Sequence, residues 1–107
     1  MTSDETLGGY LTLHDRPPAF TGTDGAFYTV GLFVETTPEE PGRFGGALVF
    51  VRWSPDGEHV VGHVETEILA VAESAAAVEA DLRAMTLHDV KAHLDRAVSA
   101  GAPPSDW

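Results

Sequence analysis

Histidine and carboxylate side chains carry most of the potential chemistry in this 107-residue chain, and their spacing limits what they can do. His59 and His63 repeat the H-x3-H spacing of a helical metal pair. That spacing works on a helix, where residues i and i+4 are neighbours. In a strand the same four residues span about 13 Å, too far for one ion. His63 and Glu65 are closer, about 6.6 Å apart on one strand face, and with Glu67 they could offer part of a divalent-ion or small-ligand site, a ground for hydrolytic chemistry. A metal site needs three or four convergent ligands, and these lie in a line. His88 and His93 would sit about 140° apart around a helix, so they cannot share an ion. Asp89 and His93, at i and i+4, read as a surface pair.

Other chemistry is missing from the sequence. Without cysteine there is no disulfide framework, no thiol nucleophile and no thiolate metal site. No serine sits in a Gly-x-Ser-x-Gly elbow, and Ser54 and Ser74 stand in turn and cap contexts. Gly8-Gly9 and Gly45-Gly46 lack the helix start and lysine of a phosphate loop. The expectation is therefore no catalytic residue, no cofactor and no metal, in a chain that reads as non-enzymatic.

Charge narrows the partners. Seventeen acidic residues against six basic ones give a formal net charge of −11, and no Lys or Arg falls between Arg52 and Arg83. Such a field repels nucleic-acid phosphate and would steer a basic partner. The N-terminus has no signal-peptide pattern and no apolar run reaches the ~18 residues of a membrane span, so the expected compartment is the cytoplasm, with no membrane partner.

The elements that must position these residues follow from pattern. The spacing predicts an α+β fold: an antiparallel meander of about four strands, then two C-terminal helices packed on one face, all within one domain with flexible ends at 1–6 and 102–107. The first strand is expected over Leu7 to His14, ended by Pro17-Pro18. Phe27 to Thr36 is the second, and its apolar residues Tyr28, Val30, Leu32, Phe33 and Val34, at both parities, predict that both faces are at least partly buried. Phe44 to Ser54 and Glu58 to about Val71 are the third and fourth. Ser74 and Thr86 can cap helices whose stripes are Ala75, Val78, Leu82, Met85 and Leu87, Val90, Leu94, Ala97, Val98.

Ser54-Pro55-Asp56-Gly57 predicts a type I turn with positive φ at Gly57, and a register pairing Trp53 with His59, Val51 with Val61, Val49 with His63, Ala47 with Glu65 and Gly45 with Glu67. Leu48, Phe50, Val60, Val64 and Ile68 then form the inner face. Two helices can cover one face only. The other carries Val49, Val51, Trp53 and Val61, rimmed by His59, His63, Glu65 and Glu67, unless the N-terminal strand and the Pro17-Pro18-Ala19-Phe20 arm fold back over it. An apolar patch with an aromatic anchor and polar rim is how protein interfaces are built. The functional expectation is a small acidic adaptor or accessory subunit that binds a protein partner or itself, a homodimer for instance. The alternative is a ligand- or metal-binding protein centred on His63, Glu65 and Glu67.

Overall fold

The computed structural model describes residues 5–37 and 40–100. In chain order the elements are α1 (Leu7–His14), β1 (Ala19–Thr21), β2 (Phe27–Thr36), β3 (Phe44–Trp53), β4 (Val60–Glu65), β5 (Ala70–Ala72), α2 (Ala75–Arg83) and α3 (Leu87–Ala100). The first four strands form an antiparallel meander in the order β1-β2-β3-β4, and β5 pairs with the far end of β3. The fold is α+β, a meander followed by two C-terminal helices, as the residue pattern predicts.

The N-terminal segment departs from it. LGGYLTLH is a helix and not the first strand; β1 is the short segment after the prolines. Thr6 caps α1 by accepting the Gly9 N–H at 3.0 Å. Leu7 N–H donates to the Met85 carbonyl and Leu87 N–H to the Glu5 carbonyl, each at 2.8 Å, so Glu5 and Thr6 are tied to the α2–α3 junction. A Cβ on Gly8 would come within 2.9 Å of the Arg83 Cβ. That glycine lets α1 approach α2 closely, and a pair of poor helix formers hides the helix from a propensity reading.

Both C-terminal caps form as predicted. Ser74 Oγ accepts the Ala77 N–H and Thr86 Oγ1 the Asp89 N–H. Val78, Leu82, Val90 and Leu94 from these helices, with Leu7 from α1, close over Tyr28, Val30, Leu48 and Phe50 of the sheet. At 25 cal/mol per Å², burying such side chains stabilises by roughly 1.5–3 kcal/mol each. Gly46 makes room for α2, since a Cβ there would collide with Val78 and lie 3.0 Å from Leu82 Cδ1.

Every helix among the described residues lies on this one side. Phe20 pairs with Tyr28 and packs with the core, so the arm before β2 does not cross to the other face. No helix among the described residues is long and apolar enough to cross a membrane.

Candidate functional site: a helix-free sheet face

The side of the sheet away from the helices is carried by the odd-numbered residues of β2 and β3. Along it Phe27 pairs with Trp53, Thr29 with Val51, Gly31 with Val49 and Phe33 with Ala47. Val51 pairs in turn with His63, and Val49 with Glu65. Phe27, Phe33, Val60, Val61, Ile68 and Val71 are all exposed large apolar residues, with Phe33 at 41 % and Phe27 at 46 %. Val49, Val51 and Trp53 between them are half-buried. Trp53 is fixed by its indole N–H, which donates to Thr29 Oγ1 at 2.9 Å.

Of the interface residues expected from sequence, the structure brings Val49, Val51, Trp53, Val61, His63 and Glu65 to this face. The pairing differs in detail. Ser54 N–H donates to the His59 carbonyl, and the link runs through residues 54–59. The predicted turn is there, with Gly57 N–H bonded to the Ser54 carbonyl and φ +77 at Gly57, but it does not close the loop. Asp56 Oδ1 accepts from the Ser54 hydroxyl and the Glu58 N–H, and Ser54 Oγ accepts from His59 N–H, which extends the loop. Those bonds hold the Asp56 carboxyl below its ordinary range, the Ser54 hydroxyl first and the Glu58 N–H second.

His59 is thus a loop residue, and Trp53 pairs with Val60 at a bulge. Beyond the bulge the register has moved by two residues from the predicted one. An even shift leaves every side chain on its expected face.

Three further expectations are corrected. Val60 and Ile68 are exposed rather than core, because the bulge turns Val60 outward and a second break at residues 66–69 carries Ile68 over Gly45. Glu67 lies in that break and not opposite Gly45, which pairs with Val71 of β5. The odd-numbered side of β2, expected to be at least partly buried, has no helix over it: Phe27 and Phe33 are exposed there, and Ile68 and Val71 join them in the patch.

Two half-open clefts border the face. One, of about 430 Å³, lies at its Trp53 end, lined by Phe27, Arg52, Trp53, Pro55 and Val61 among others. The other, of about 410 Å³, lies between β4 and α3 and gathers His63, Glu65, Glu67, His93 and Arg96. His63 Nε2 is 3.9 Å from a Glu65 carboxylate oxygen, and Arg96 Nη1 is 3.5 Å from His93 Nδ1. Asp56, Glu58 and His59 form the one trio among the described residues whose donor atoms lie within 4.8 Å of one another. All three are exposed, and the loop's own hydrogen bonds account for their closeness.

Comparison with models of known families, with curated proteins and with solved structures finds no match.

Proposed function

We propose that this chain is a non-catalytic, cytoplasmic protein-binding subunit that docks a protein partner, or a copy of itself, on the helix-free face of its sheet. One observation carries the reading: a continuous apolar surface, from Phe27 and Trp53 through Val51 and Val49 to Ile68 and Val71, is left uncovered by all three helices. Apolar patches of this kind on soluble proteins mark interaction surfaces. The rim supplies orientation. His63, Glu65 and Glu67 edge the patch within the stretch that lacks Lys and Arg, which favours a partner with a basic margin and disfavours nucleic acid.

The test is a tagged chain expressed in its native host. It should retain a stoichiometric protein partner. Val61→Glu should release that partner while the far-UV spectrum stays unchanged, and Leu13→Glu, at an exposed site on α1, should keep it. Equal retention by both variants would sink the reading.

A second reading has its own observation, the cleft that brings His93 and Arg96 of α3 to His63, Glu65 and Glu67. Groups of both signs in one cleft suit a small polar ligand or a divalent ion. Under this reading, titrating Zn²⁺ shifts the His63 and His93 imidazole resonances together and saturably. Independent or absent shifts speak against it.

A further inference from the structure

The edges of the sheet are not equally guarded. β1 is three residues long and follows Pro17-Pro18, and on the opposite side β4 and β5 are interrupted by a bulge and by the break at residues 66–69, with His63, Glu65 and Glu67 along the way. Bulges, short strands, prolines and charges are how natural sheets discourage edge-to-edge pairing. Residues 30–34 of β2, beyond Thr29, have none of these. β1 stops pairing at Ala19↔Thr29, and Gly31, Leu32, Phe33 and Val34 continue without charge, proline or bulge.

The ladder says which groups this edge offers. Gly22 N–H donates to the Ala26 carbonyl toward β1, and Thr37 N–H to the Arg43 carbonyl toward β3. Backbone groups of an antiparallel strand alternate in direction, so the even-numbered residues of β2 point toward the β1 side and the odd-numbered ones toward β3. Leu32 and Val34 therefore present their N–H and C=O groups outward past the end of β1. Among the described residues neither has a backbone partner there outside the sheet ladders.

We infer that a second copy of this chain pairs on this edge, β2 against β2 antiparallel, about a twofold axis at Phe33. The inference rests on the reading of the chain as a protein-binding subunit and adds to the partner on the face a second copy of the chain on the edge. In that register Leu32 meets Val34 of the partner subunit in hydrogen-bonded pairs that satisfy all four outward groups of each copy. The two Phe33 rings meet in the closely spaced, non-hydrogen-bonded pair at the centre. Aromatic cross-strand pairs are among the favourable ones. Glu35 falls opposite Gly31, so the charges nearest the axis do not meet. A peptide of unrelated sequence could use the same backbone groups, but the uncharged, aromatic-centred edge is complementary to itself. The axis stands perpendicular to the sheet, so both helix-free faces lie on one side and join into a single docking surface.

The absence of cysteine makes the test clean. Cα atoms of a non-hydrogen-bonded pair lie about 4.5 Å apart, within the roughly 4.4–6.8 Å that a disulfide spans. Phe33→Cys should therefore oxidise to a covalent dimer, while Leu13→Cys should not. In light scattering the native chain should be a discrete dimer, tighter at higher salt because two subunits of charge −11 repel. Phe33→Glu, which opposes two carboxylates at the axis, should weaken the dimer at least about tenfold. Should that variant fail to fold, the cysteine result decides alone. A monomer at every concentration and salt, a dimer untouched by Phe33→Glu, or a Phe33→Cys dimer that does not cross-link on oxidation would overturn the inference. Val61→Glu separates it from the face reading: it should release the partner and leave the dimer. A dimer lost in Val61→Glu but kept in Phe33→Glu would place self-association on the face and also overturn the edge.

Discussion

Tyr28 is the one buried side chain of the sheet with a polar group to satisfy, and it does so through Asp24. Its hydroxyl donates to Asp24 Oδ2 at 2.7 Å, the other Asp24 oxygen accepts the Ala26 N–H, and Arg52 Nε lies 3.7 Å away. Burial pushes the Asp24 carboxyl up, but the hydrogen bonds from Tyr28 and Ala26 and the Arg52 charge together bring it below its ordinary value. A depressed folded value means stability present above the ordinary carboxylate range and lost as pH falls through the folded one. Tyr28 moves the other way: burial first, then the Asp24 bond, raises it from 10.0 to about 12. Its contribution is complete below about pH 10 and lost as pH climbs toward 12. Tyr28→Phe should therefore cost about 1 kcal/mol near neutrality and flatten both limbs of a stability-versus-pH curve from urea titrations. Unchanged limbs would mean the Asp24–Tyr28 bond does not persist in solution. Trp53 poses a different question. It is only half-buried, so Trp53→Ala should cost the subunit well under the ~3–5 kcal/mol of a core aromatic deletion. A loss of that full size would make Trp53 core rather than anchor.

At the level of elements, two glycines on neighbouring strands make opposite predictions. Gly46 lies under α2, where an added methyl would strike Val78 and Leu82, so Gly46→Ala should lower unfolding free energy by about 1–3 kcal/mol. Gly31 lies on the open face, its nearest neighbour at an added Cβ being the Val49 carbonyl at 3.9 Å. Gly31→Ala should be neutral or slightly stabilising, because a strand glycine costs backbone entropy. If the two behave alike in denaturant titrations, the assignment of covered and open faces is wrong. That assignment was legible in the sequence wherever period and cap agreed. Ser74 and Thr86 start α2 and α3, and the β3 alternation separates Leu48 and Phe50 from Val49 and Val51. It failed where contacts distant in sequence decide. α1 is held by Met85 and Arg83, some eighty residues on, and nothing within LGGYLTLH announces that. The link after Trp53 departs from the predicted register by two residues because the Ser54 hydroxyl donates to Asp56 while Asp56 and Ser54 accept the Glu58 and His59 N–H groups and stretch the turn, a choice that Pro-Asp-Gly leaves open.

For the molecule as a whole, an open apolar face coexists with a formal charge of −11, and the two are linked. The ion pairs among the described residues are few: Arg43 with Glu40, Arg52 with Asp24, His63 with Glu65, Lys91 with Asp95. Most carboxylates therefore repel one another without local compensation. Self-repulsion keeps an uncovered apolar face from indiscriminate association, at the expense of the compact state, in which like charges sit closer than in the unfolded chain. Raising ionic strength shortens the Debye length to about 10 Å at 0.1 M and about 3 Å at 1 M, so salt should relieve the folded state more than the unfolded one. For a domain of this size 1 kcal/mol corresponds to roughly 4–8 °C. Going from low salt to a few tenths molar NaCl should raise the melting temperature by about that much. Potassium and sodium chloride should act alike, because screening depends on ionic strength and not on the cation. A melting temperature that falls with salt would mean that local ion pairs outweigh the global field, and that the acidity must be explained by the partner it meets rather than by the face it protects.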